Sequence, residues 1–214
     1  MKSFFLLFTD SAKSLKSLRT IATTGMLLAM AVAIRSLGIQ VTPDLRIVFT
    51  CLPISLIALL YGPVVCGMST FALDIIGFLI DNKSARGYSP ELAMVVILSG
   101  VIYGIFLYKH TIKPQWSDIL RVALARLAVI VICNVCLNSY FLYTLYVNPE
   151  FSLIGMSGDM WNAFTVWLAP RAAKNFLQYP IDVALLAMII PAAQAAYNRV
   201  RGEYSHSTQL RKDT

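Results

Sequence analysis

The sequence predicts an all-α membrane protein: a single bundle of about six transmembrane helices with both termini in the cytoplasm. Of its 214 residues, 57% are hydrophobic and 14% are charged, whereas a soluble domain has about 45–50% apolar and about 25% charged residues. A spanning helix needs roughly 20 apolar residues. Apolar runs that approach this length fall at about 18–37, 46–60, 63–80, 91–109, 119–147 and 164–197.

Proline and glycine mark the joints between the runs. Tyr61-Gly62-Pro63 predicts a tight turn between the second and third runs, Pro90 opens the fourth, and Pro170 stands where a helix could begin. The second run is short for a perpendicular span, and the fifth and sixth are long. We therefore divide the chain into a cytoplasmic lead-in (1–17), a six-helix membrane domain (18–198) and a polar cytoplasmic tail expected to be disordered (199–214).

The basic residues orient the bundle. With the N-terminus inside, the outer loops hold Arg35, Arg46, Lys83 and Arg86, and most of the remaining Lys and Arg residues fall on inner segments. This asymmetry follows the positive-inside rule. The net charge of +7 is thus explained by topology, and no nucleic-acid partner is expected.

Polar residues in the sixth run form the first candidate site. Arg171, Lys174, Asn175, Gln178 and Asp182 lie at helical spacing and so share one face. Ionisable groups inside spans usually face a cavity or a partner. Arg171 could hold a substrate carboxylate by a two-pronged contact and Lys174 by a point charge. The alternative is that both cations extend to the outer headgroups.

Two asparagines in the fifth run form a second candidate. Asn134 and Asn138 are four residues apart, so in an α-helix they stack on one face, where their amides could bind a polar ligand or bond another helix. The first outer loop, GIQVTPDLR, is short enough to close over a pocket. We include Arg35, three residues before this loop, and Arg46, its last residue, among the candidate substrate-binding residues.

Small residues line one face of the first run, at Ala22, Gly25, Ala29 and Ala33. Such a strip lets another helix approach closely, either within the chain or from a partner. Aromatic residues crowd the outer ends of the fifth and sixth runs, where they form an interfacial belt or line a binding site. The members are Tyr140, Tyr143, Tyr146, Trp161 and Trp167.

Signatures of catalysis are weak. The chain has no G-x-x-x-x-G-K-[ST] motif for ATP hydrolysis. Cys133 and Cys136 have C-x-x-C spacing without a second cysteine pair in an outer loop, and His110 and His206 have no third ligand nearby. We expect no catalytic residues, metal or cofactor, and keep an intramembrane redox or lipid-modifying enzyme only as a lesser alternative.

Four stretches together resemble the substrate-binding S component of energy-coupling-factor (ECF) vitamin transporters, in the folate/pantothenate branch. They are LRIVFTCLPISLIALLYGP at 45–63, ALDIIGF at 72–78, LSGVIYGIFLYK at 98–109 and APRAAKNFLQYPID at 169–182. The resemblance implies a cell-membrane protein that binds a vitamin in its outer half. It also implies assembly with a membrane coupling subunit and two cytosolic ATPases, which would explain the missing ATP motif.

The first helix and the substrate are also interpreted from this resemblance. LLAMAVAIR at 27–35 is similar to the helix that S components dock on the coupling subunit, which assigns docking to Ala29, Ala33 and Gly25. The chain departs from folate-type members at DNKSARGYSPELAMV (81–95) and LNSYFLY (137–143). Since folate would also require more aromatic stacking, we expect pantothenate, with folate as the alternative.

Overall fold

The protein folds as a bundle that is almost entirely helical. A computed structural model of the chain describes residues 2–42, 45–81, 87–110, 112, 115–148 and 158–210. The elements are α1 (Lys2–Ser14), α2 (Leu18–Ser36), β1 (Ile39–Thr42), β2 (Leu45–Ile47), α3 (Cys51–Tyr61), α4 (Pro63–Asp81), α5 (Pro90–Leu107), α6 (Trp116–Ala128), a π-helix (Val129–Asn138), α7 (Ser139–Tyr146) and α8 (Gly158–Leu210).

The predicted arrangement of six apolar runs is confirmed. Five helical stretches in the described part of the chain are long and apolar enough to cross a membrane, and α3 is a shorter apolar helix of 11 residues. The stretch Trp116–Tyr146, formed by α6, the π-helix and α7, is one of the five. The loop between α2 and α3 contains the antiparallel hairpin of β1 and β2, which was not predicted.

Helix α8 differs from the prediction at both ends. It begins at Gly158, well before Pro170, and it continues to Leu210 through the segment expected to be disordered. Pro170, Pro180 and Pro191 all lie inside it. Transmembrane helices tolerate proline because neighbouring helices and side chains satisfy the backbone groups that it frees.

The short helix α3 lies at the centre of the bundle. Almost every one of its side chains is buried, which agrees with its apolar character on all sides. Beside it, α4 and α5 approach closely at Gly104, where an added Cβ would lie 2.3 Å from the Cα of Pro63. Only glycine permits this contact, which fixes the wall that α4 and α5 present to the interior.

The lead-in helix α1 is fixed to the turn between α3 and α4. Ser11 is fully buried; its hydroxyl donates to the carbonyl oxygen of Tyr61 at 2.7 Å and accepts from the amide of Val64 at 3.1 Å. Asp10 pairs with Lys109 at the end of α5. The hydrogen bond from the Lys109 ammonium lowers the pKa of the Asp10 carboxyl. The lead-in is therefore part of the folded bundle.

Candidate functional site

A polar cavity of about 340 Å³ opens between the helices. This volume lies within the range of small-molecule sites, about 300–1,000 Å³. Its walls come from α2, α3, α4, α5, α6, the π-helix and α8, together with the segment before α3. The polar side chains that line it are Arg35, Thr50, Ser99, Tyr103, Arg126, Asn134, Lys174, Asn175 and Gln178.

The predicted polar face of α8 forms one wall. Lys174, Asn175 and Gln178 line the cavity, and the Asn175 amide donates to the carbonyl oxygen of Arg171 at 2.9 Å. The Gln178 amide donates to the carbonyl oxygen of Val48 at 3.2 Å, which ties this wall to the segment that follows the hairpin. The helical spacing read from the sequence thus places these three side chains correctly.

The π-helix contributes Asn134 but not Asn138. Asn134 lines the cavity, and its amide nitrogen lies 3.4 Å from the amide oxygen of Asn175. Asn138 is not among the lining residues. The structure therefore places only the first of the two asparagines at the cavity, on a segment that is a π-helix and not the α-helix that the prediction assumed.

An ion pair that the sequence did not predict borders the cavity. The Arg126 guanidinium donates to Oδ2 of Asp182 through Nε at 3.0 Å and through Nη2 at 2.5 Å, and through Nη1 to the Tyr103 hydroxyl at 3.1 Å. Oδ1 of Asp182 accepts from the Gln178 amide at 3.3 Å. Both charges are buried, with Asp182 completely so. The signal in the sequence was that Arg126 and Asp182 carry opposite charges and each lies within an apolar run.

The Arg126 guanidinium is held in a fixed orientation by these bonds. A guanidinium carries five N–H donors, and three of them are used by Asp182 and Tyr103. Because Arg126 also lines the cavity, the pair presents a positioned cation to a ligand. Breaking such a buried pair is costly, since it leaves an uncompensated charge.

Arg171 lies outside the cavity lining. Its guanidinium is stacked over the Trp167 ring, 4.2 Å from the ring centroid. Trp167 in turn packs on Tyr143 and Phe164, with ring centroids 5.3 Å and 6.3 Å away. These rings contact one another, and Tyr103 is the aromatic residue that lines the cavity within the described part of the chain.

The structure describes the side chain of Arg35 but not that of Arg46, the two arginines at the loop after α2. Arg35, in the last turn of α2, lines the cavity. Arg46 lies on β2, and its side chain is outside the described residues. Arg35, Arg126 and Lys174 are basic, and no carboxylate occurs among the described lining residues. The lining therefore favours an anionic ligand.

The small-residue strip of α2 faces away from the bundle. Gly25, Ala29 and Ala33 are all exposed, and an added Cβ on Gly25 would meet nothing within 4 Å. Ala31, on the opposite face, is fully buried. Packing of the strip against a neighbouring helix of the same chain is therefore not observed in the described residues.

The two cysteines of the C-x-x-C pair differ in exposure. Cys133 is buried and Cys136 is exposed, and both are free thiols. In a π-helix, residues three apart lie on different faces. Among the residues that the structure describes, no group of three His, Cys, Asp or Glu side chains could hold a metal ion.

Comparison with known proteins gives concordant matches. Residues 19–190 match the family described as ECF transporter, substrate-specific component. The chain is 29% identical over 78% of its length to the folate transporter FolT of Leuconostoc mesenteroides, covering 82% of that protein. It is 31% identical over 71% of its length to FolT of Clostridium novyi, covering 76% of that protein.

A solved structure gives the same result in three dimensions. The crystal structure of FolT bound with folic acid superposes with a TM-score of 0.63 and 31% sequence identity. The match covers 79% of this chain and 90% of that one. Folate, the alternative considered from the sequence, is therefore better supported than pantothenate.

Proposed function

Because the chain belongs to the family of substrate-specific components of ECF transporters, we propose that it captures folate in the polar cavity for uptake across the cell membrane. The observation that carries this proposal is the lining. Arg35, Arg126 and Lys174 bring three basic side chains to one cavity, in a chain similar to a FolT that was crystallised with folic acid.

The charge of the lining supports folate over pantothenate. Folic acid ends in a glutamate with two carboxylates, whereas pantothenate carries one. We assign Arg35 and Lys174, which line the cavity, to the two carboxylates. Asn134 and Asn175 supply amide donors and acceptors suited to the heterocyclic edge of a pteridine.

The expectation of pantothenate combined two segments that depart from folate-type sequences with the aromatic stacking that folate would require. Residues 82–86 of the first segment lie outside the described residues. In the second, the residues after Asn138 are not among those lining the cavity. Tyr103, which does line it, comes from α5 and had not been considered.

Equilibrium binding to the purified, detergent-solubilised chain tests the substrate. We expect tight binding of folic acid and much weaker binding of pantothenate. Lys174→Gln should weaken folic acid binding about ten-fold or more, because it removes a charge-assisted contact. Lys16→Gln, which removes an equal charge from an exposed cytoplasmic position, is the matched control. Tight binding of pantothenate alone would refute the folate assignment.

We further propose that the exposed strip of α2 docks on a membrane coupling subunit, which two cytosolic ATPases drive. We also propose that both termini are in the cytoplasm, with 1–17 and 199–214 on that side of the membrane domain, as the distribution of Lys and Arg favours. The support is that α2 is the least buried of the five candidate spans. Small residues on such a face allow close helix approach.

Ala29→Trp separates docking from binding. We expect folic acid binding to be unchanged and uptake to be lost in cells that supply the coupling subunit and ATPases, because the indole holds the partner helix away. Met68→Trp, at an exposed position of α4, is the matched control and should leave uptake intact. Uptake that survives Ala29→Trp would place the docking surface elsewhere.

A further inference from the structure

The guanidinium of Arg35 lies directly against the backbone of Gly77. A Cβ built on Gly77 would be 2.2 Å from Cζ of Arg35, 2.3 Å from Nη1 and 2.6 Å from Nε. Cβ atoms essentially never approach other heavy atoms within 3.0 Å. The observed position of the guanidinium therefore requires that residue 77 has no side chain.

Gly77 lies on the cavity side of α4. Leu73, four residues earlier on the same helix, lines the cavity, and residues four apart share a helix face. Arg35 reaches this face from the last turn of α2. Because Gly77 has no side chain, the planar guanidinium of Arg35 can pack directly on the backbone of α4. This contact limits the positions that the long and flexible Arg35 side chain can adopt.

From this contact we propose that Gly77 is a positioning residue of the substrate site. Its missing side chain seats the Arg35 guanidinium at the cavity wall, where the guanidinium receives a carboxylate of the ligand. The inference rests on the proposed function, since it assumes that the cavity binds folate. It adds that an apparently featureless residue of α4 contributes to affinity through Arg35.

Gly77→Ala is the direct test, with folic acid as the probe. All three atoms nearest the new methyl group belong to the flexible end of Arg35, and alanine is the better helix former. The variant should therefore fold, with an unchanged melting temperature, while the guanidinium is displaced. We expect folic acid binding to weaken about ten-fold or more, the range for loss of a hydrogen bond to a charged group.

Two further variants assign the loss to Arg35. Gly67→Ala lies on the same helix, where the new methyl would meet a side-chain carbon of Val101 at 3.2 Å, and it should leave binding unchanged. Arg35→Gln should weaken binding as Gly77→Ala does. In a double-mutant cycle, Gly77→Ala should cause no further loss in the Arg35→Gln background.

The folic acid affinities of these variants and of the wild type test the role of Gly77 and the proposed function separately. Wild-type affinity in Gly77→Ala, or an equal additional loss in the Arg35→Gln background, would overturn the role of Gly77 while leaving folate binding by the wild-type chain intact. Wild-type affinity in Arg35→Gln would also overturn it. Failure of the wild-type chain to bind folic acid would instead refute the proposed function, and this inference with it.

Discussion

Two arginines lie along the polar face of α8, and they are held in different ways. Arg126 contacts the deep end of this face, where buried Asp182 and Tyr103 fix three of its N–H donors. Arg171 lies near the other end and is stacked on the ring of Trp167. Arg126 is thus held by directional bonds at a buried position, whereas Arg171 stacks on an aromatic ring at a partly exposed position. The deep end is therefore expected to be rigid and the other end adaptable.

Removal of Asp182 should have the largest effect. Asp182→Ala leaves the Arg126 charge buried without a counter-ion, so the free energy of unfolding should fall by about 3–5 kcal/mol. Unfolding of the purified protein in mixed detergent–SDS micelles measures this loss.

A paired variant separates the charge from the packing. Arg126→Met combined with Asp182→Leu removes both charges, and it should recover much of the stability that Asp182→Ala loses. Folic acid binding should still be weaker than in the wild type, because Arg126 lines the cavity. An Asp182→Ala variant as stable as the wild type would contradict the expectation that the polar face is rigid at its Asp182 end.

The sequence was sufficient to predict the bundle and one wall of the site. Long apolar runs are read directly from composition, and the spacing of Lys174, Asn175 and Gln178 predicts a shared face because α8 is a regular helix there. Both features depend only on local sequence. The sequence underestimates the length of α8, because Pro170 is typical of a helix start and the polar residues from 199 onward predict disorder.

The remaining features of the site depend on which helices are neighbours. Arg126 and Asp182 are 56 residues apart in the chain, and single-sequence periodicity does not identify such a pair. The π-helix is another such feature, because its apolar sequence resembles that of any spanning segment. The contact of Arg35 with Gly77 likewise exists only because α2 packs beside α4.

Removal of the Tyr103 hydroxyl should have an intermediate effect. Tyr103→Phe leaves one buried N–H of Arg126 without its acceptor, so the protein should lose about 1–3 kcal/mol of unfolding free energy. Tyr179→Phe is the matched control, because that hydroxyl donates to the neutral carbonyl oxygen of Ala123 at a partly buried position. Its loss should be smaller, about 0.5–1.5 kcal/mol. Equal losses in the two variants would show that the Arg126 network is no more demanding than an ordinary hydrogen bond.

Substitution of Arg171 should have the smallest effect on stability. Arg171→Ala removes a cation–π contact worth about 0.5–1 kcal/mol at an exposed site, so a loss of unfolding free energy of about this size is expected. Folic acid binding should nevertheless weaken several-fold, because the cation lies one turn from Lys174 on the same face and attracts an anionic ligand toward the cavity. Raising the salt concentration should reduce the difference between Arg171→Ala and the wild type, since exposed charges are screened.

The salt dependence distinguishes the two ends of the polar face. A loss of affinity in Lys174→Gln should persist at high salt, because Lys174 is a partly buried lining residue for which we propose a direct contact with the ligand. If the loss in Arg171→Ala were equally resistant to salt, Arg171 would contact the ligand as closely as Lys174. The stacking on Trp167 would then describe only the ligand-free position of the guanidinium, and the adaptable end would itself be part of the binding site.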